Sequence, residues 1–207
     1  MKRLVFFLLV FVGLKSQAQQ AFEGTLFIEV LSADSSEIPQ MDFEIKLKGS
    51  LARMNIHSEN IEDYSLIINY ETGESIMLKT HNGEKIAVRG LKTLGAVGTF
   101  TPESAKLKKV AGYNCRKGKV SDGEISSTVY YSTAFKSPTK IFGVYSEVPG
   151  LLLELHLNKE GNSQIIRTKK LSKRKVKDEE FLIPSDYREM SESEYQLLLP
   201  LFPELFR

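Results

Sequence analysis

The chain has no tryptophan, one cysteine and three histidines among its 207 residues. With Cys115 alone, no internal disulfide can form, so the fold has to be held by packing. Cys115 itself reads as a small buried apolar residue. His57, His81 and His156 stand far apart, in no spacing that ligates zinc, and His57 and His156 fall on the polar sides of strands. The G-x-S-x-G elbow, the P-loop, H-E-x-x-H and the EF-hand loop are all missing. Paired acids such as Glu62-Asp63 and Asp178-Glu179-Glu180 read as solvated turns. These absences predict a protein that is not an enzyme and carries no cofactor or metal.

Charge of one sign is also lacking. The formal charge is +2, and three of the cations are Lys2, Arg3 and Lys15. Leu4 to Leu14 is the one long apolar run, too short to span a bilayer comfortably, and Lys15-Ser16-Gln17-Ala18 follows it. A basic start, an apolar core and a small-residue end make a secretory signal peptide over residues 1–18, cut after Ala18. Cleavage takes away those three cations and no acid, leaving a formal charge of −1. A balanced mature chain has no global attraction for nucleic acid. The expected location is the periplasm or the medium, and the protein is not expected to be integral to a membrane.

What is present is alternation. Met41, Phe43, Ile45 and Leu47 oppose Asp42, Glu44, Lys46 and Lys48; Gly49-Ser50 turns the chain; Ala52, Met54 and Ile56 then oppose Arg53, Asn55 and His57. A period of two marks antiparallel strands with one apolar and one wet face. Further strands are expected at Phe22–Val30, Tyr64–Tyr70, Ser75–Thr80, Lys85–Arg89, Lys106–Val120 with a bulge or a close backbone approach at Gly112, and Ser126–Thr133. Asn82-Gly83 is a hairpin signal. Gly90 to Phe100 reads as a loop, and Thr101-Pro102-Glu103 as the start of one helical turn.

The last third carries the sharpest pattern. After Pro149-Gly150, the leucines Leu151, Leu153, Leu155 and Leu157 alternate with Leu152, Glu154, His156 and Asn158. A return strand is expected to reach about Val176, and Phe181-Leu182-Ile183 to end at Pro184. Ser191-Glu192-Ser193-Glu194 fits a capping box before a short helix. The basic run Lys169, Lys170, Lys173, Arg174, Lys175 and Lys177 reads as a solvated edge, or else as a patch for lipid headgroups, polyanionic glycans or an acidic partner, with Asp178-Glu179-Glu180 partly cancelling its field. The organisation is thus 1–18 signal peptide, 19–190 a single antiparallel β domain, and 191–207 a short apolar helix or tail.

Several short motifs occur together: Phe22-Glu23-Gly24-Thr25, Lys48-Gly49 with Arg53, Val110-Ala111-Gly112-Tyr113-Asn114-Cys115, Pro149-Gly150-Leu151, and Phe181-Leu182-Ile183-Pro184 with Tyr187 and Met190. In this order they resemble a family of exported bacterial proteins of the Bacteroidetes type, carried as a domain of unknown function. That family is similar in layout to the LolA/LolB lipoprotein carriers. The resemblance implies a mainly β fold, a curved antiparallel sheet forming an unclosed half-barrel with few short helices. It transfers no site residue.

Two functions follow as expectations. One is an envelope protein that binds a lipid or acyl chain in the hollow of the sheet, against Met41, Phe43, Ile45, Leu151, Leu153, Leu155 and Leu157. The other is a non-catalytic structural or protein-interaction module whose partner is another envelope protein.

Overall fold

The computed structural model describes residues 21–32, 41–58, 61–81, 83–90, 98–123, 126–137, 143–159 and 162–198. The expected signal peptide, the tail beyond residue 198 and most of the loop read at Gly90–Phe100 lie outside the described residues. The rest is one sheet of twelve strands. Its first arm is a meander: β1 (Gly24–Ser32), β2 (Met41–Lys48), β3 (Leu51–Ser58), β4 (Ile61–Asn69), β5 (Glu74–His81) and β6 (Glu84–Arg89). A second meander comprises β7 (Thr99–Val110), β8 (Tyr113–Ser121), β9 (Ser126–Ser132), β10 (Leu151–Lys159) and β11 (Asn162–Ser172). The arms join where β1 pairs antiparallel with β11, and β12 (Arg188–Ser191) adds to β6 in parallel. The edges β12 and β7 do not meet, so the curved sheet stays an unclosed half-barrel.

Alternation becomes burial through register. Val88, Met77, Leu66, Met54, Ile45 and Leu26 stand opposite one another from β6 to β1. Cross-strand partners share a face, so this row belongs to the inner side. Helix α1 (Glu192–Leu198) caps one end of that side, with Tyr195 packed on Ile86, Val88 and Met190. At the other arm Val144, Tyr145 and Val148, in and beside the 3-10 turn Gly143–Tyr145, pack against Val120, Tyr131 and Leu152.

The outer side of β2 and β3 is polar and networked. Asn55 Nδ2 donates to Glu44 Oε2 at 2.9 Å, and Ser65 Oγ to Asn55 Oδ1 at 2.8 Å. Further along, Ile67, Ile76, Leu78 and Ala87 form an apolar patch on this outer side, covered by Val176 and Phe181. Strands β5 and β6 are therefore covered on both faces, by Val176 and Phe181 outside and by Tyr195 inside.

Several expectations change. Thr101-Pro102-Glu103 is strand and not helix; β7 is an edge strand, where a residue without an N–H is tolerated. Ala111-Gly112 is a two-residue hairpin turn and not a bulge, with φ of 47° and 84° and Val110 facing Tyr113. Strand β11 stops at Ser172, short of Val176. The run at Phe181 belongs to a 3-10 turn, Asp178–Phe181, because Phe181 is needed over the outer patch. The domain is not wholly antiparallel, since β12 runs parallel to β6. The capping box is present: Ser191 N donates to Glu194 Oε2 at 2.7 Å, and Glu194 N to Ser191 Oγ at 3.2 Å.

Candidate functional site

The hollow of the sheet contains a cavity of about 350 Å³ between the two arms. Phe43 and Ile45 of β2 and Met54 of β3 form one wall, and Ile28 of β1 forms the floor. Leu152, Leu153 and Leu155 of β10, with Ile166 of β11, form the facing wall. These residues meet because β1 is shared: Ile28 pairs with Phe43 on one side and with Thr168 on the other.

Of the residues expected at the site, Phe43, Ile45, Leu153 and Leu155 line the cavity. Leu151 does not; it is fully buried in the cluster holding Cys115, Val110 and Phe135. Leu157 does not either, and packs beside Val129 and Ile166. Met41 belongs to β2 by its backbone, while its side chain lies outside the described residues. Leu152 was expected on the polar side. It reaches the cavity because the β10–β9 register shifts between Leu152 and Glu154, making Leu153 an extra residue on its strand. A bulge of this kind breaks strict alternation. Ile28 and Met54 carried the signal of alternation in their own strands, but only the register brings them beside Phe43 and Ile45.

The polar groups of the wall are few and mostly hydroxyls. Burial pushes the Tyr70 phenol up to about 12, so it stays a neutral hydroxyl. Burial also raises Tyr145, whose hydroxyl lies 3.1 Å from Ser127 Oγ. Thr168 is buried at the cavity edge. Glu154 borders the cavity, yet its register partners are Tyr130 and Arg167, whereas Leu155 pairs with Val129 and Ile166. Its carboxylate therefore leaves β10 on the face opposite Leu155.

That carboxylate is not solvated as the alternation implies; it is 1% exposed. Oε1 accepts from Lys108 Nζ at 2.5 Å and contacts His156 Nε2, while Oε2 has no hydrogen-bond partner. Lys108 Nζ also sits 4.6 Å from the Tyr130 ring centroid. His156 is half-buried for the same reason. His57 is exposed and lies 2.7 Å from Asp63, which stands in β4 and not in a turn. Among the described residues no three His, Cys, Asp or Glu side chains are placed to hold a metal. None of the described helices is long and apolar enough to cross a membrane.

Fold and site together define a β half-barrel with an apolar hollow. No family model and no curated protein sequence matches the chain. Among solved structures, PNGF-II is similar in two crystal forms, with a TM-score of 0.54 at 19% identity. The match covers 86% of this chain and 33% of that one, so this chain spans about a third of PNGF-II. MucB in complex with MucA(peri) matches with a TM-score of 0.43 at 8% identity, over 79% of this chain and 55% of that one. LprF from Mycobacterium bovis gives 0.38 at 11%, over 80% and 90%. The likeness to PNGF-II is one of fold.

Proposed function

We propose that this chain is an exported envelope protein that holds one apolar ligand, a lipid tail or acyl chain, in the hollow of its sheet. The observation that supports this reading is the cavity of about 350 Å³ with carbon-rich walls in the hollow of the sheet. Ligand sites run from roughly 300 to 1,000 Å³, so this one suits a slim ligand. Ten buried methylenes would contribute about 8 kcal/mol gross. Association costs of several kcal/mol leave a reversible, carrier-like affinity. The reading is of a binding protein and not of an enzyme, and it places the protein in the periplasm or the medium on the strength of residues 1–18.

The test is titration of the purified protein with a fluorescent fatty-acid probe. The wild type should bind saturably, and Leu153→Phe and Met54→Phe should weaken binding by filling the cavity while changing stability little. Overpacking of a filled core costs roughly 1–3 kcal/mol. No saturable binding together with a clear loss of stability in Leu153→Phe would favour the structural or interaction module instead.

A further inference from the structure

Between β11 and the 3-10 turn Asp178–Phe181 the chain forms an arch, Lys173-Arg174-Lys175-Val176-Lys177, with four cations among five residues. All four are exposed. By sequence the acids that follow partly cancel the field of this run, but the structure turns two of those acids away. Asp178 Oδ1 lies 2.5 Å from Lys48 Nζ, and Glu180 Oε2 lies 2.8 Å from Lys46 Nζ, both on β2. The side chains of Arg174, Lys175 and Lys177 make no hydrogen bond or ion pair among the described residues, and Glu179 is the one acid of the three left beside them.

The arch is also fixed in shape. Lys173 Nζ stands 4.6 Å from the Phe135 ring centroid and 5.4 Å from that of Tyr113. Val176 is buried and its N–H donates to Glu23 Oε1 at 3.1 Å. Arg174 and Lys175 are thus held out between two anchors. Preordered, exposed cations match an extended anionic surface.

We propose that this arch is a docking surface for anionic phospholipid bilayers. Each Lys or Arg near such a surface contributes about fivefold to affinity, and the attraction is screened within a Debye length. The proposal is independent of what the cavity holds.

The test is cosedimentation of the full exported chain with vesicles of phosphatidylglycerol and phosphatidylcholine at low and high salt, against pure phosphatidylcholine. Binding to the anionic vesicles should be lost at high salt and weakened about tenfold or more by Arg174→Glu with Lys175→Glu. Lys106→Glu with Lys109→Glu, an equal charge change at exposed positions of β7, should leave it nearly intact. If the reversed arch fails to fold, Arg174→Gln with Lys175→Gln carries the same comparison. Absence of binding, or equal loss in both double variants, overturns the proposal. So does tighter binding to soluble dextran sulfate than to vesicles, which would assign the arch to a polyanion.

Discussion

At the scale of single residues, two positions hold conformations or charges that composition would not suggest. Ala111 sits at φ 47° in the turn between β7 and β8. The left-handed region costs a residue with a Cβ roughly 1–2 kcal/mol, and asparagine tolerates it better. Ala111→Asn ahead of Gly112 makes the preferred Asn-Gly turn, and urea denaturation should show a gain of about 1 kcal/mol. No gain would mean that the turn is strained for another reason. Glu154 is the second position. Burial pushes its carboxyl up, but hydrogen bonds with Lys108 and His156 outweigh burial and hold it below the usual carboxylate range. The unfolded chain therefore takes up this proton first as pH falls. Stability from Glu154 is complete above the ordinary value of 4.5 and is lost as pH drops through the lower folded value. Glu154→Gln should cost about 1–3 kcal/mol at neutral pH. It should also flatten the loss of stability below about pH 4.5, as read from urea midpoints across pH.

At the scale of elements, β2 carries two cavity-lining residues that differ in burial. Ile45 is 2% exposed in the core, whereas Phe43 is half-buried against the cavity. A buried isoleucine truncated to alanine costs roughly 2–5 kcal/mol, and a buried phenylalanine usually more. Both side chains line the cavity, but Phe43 is the less buried, so Phe43→Ala should cost less than Ile45→Ala despite removing more atoms. Lys46, on the opposite face, ion-pairs with Glu180 in a part-exposed setting, so Lys46→Ala should cost at most about 1 kcal/mol. Guanidinium melts of the three variants decide the order, and Phe43→Ala as the costliest would mean that the hollow is filled in solution. Helix α1, at seven residues, is too short to stand alone. Its capping box starts it and Tyr195 docks it.

At the scale of the molecule, the β1–β11 pairing makes one continuous sheet from two meanders. Residues from both arms share one core cluster, with Leu26, Ile45 and Leu47 beside Cys115, Leu151 and Leu153. Cooperative unfolding as a unit follows, with no disulfide involved, since Cys115 is a free buried thiol. Far-ultraviolet circular dichroism and tyrosine fluorescence should give superimposable urea transitions. An earlier transition in one probe would show that an arm melts by itself.

What the residues determined by themselves is local in origin. Alternation at Phe43, Ile45 and Leu47 follows from the two-residue pleat, and the turns at Gly49-Ser50 and the cap at Ser191 from backbone geometry within a few positions. Phe43, Ile45 and Leu155 line the cavity from their strand faces alone, whereas Leu153 stands at the register shift of β10. The burial of Glu154, the turning inward of Leu152 and the pairing of β12 with β6 depended on segments distant in the chain. Lys108 meets Glu154 across 46 positions, and Lys46 meets Glu180 across 134. A strand's period is a property of its own backbone. Whether the space between two strands is filled is a property of their register, and only the tertiary structure decided that Phe43 and Leu153 would line one cavity.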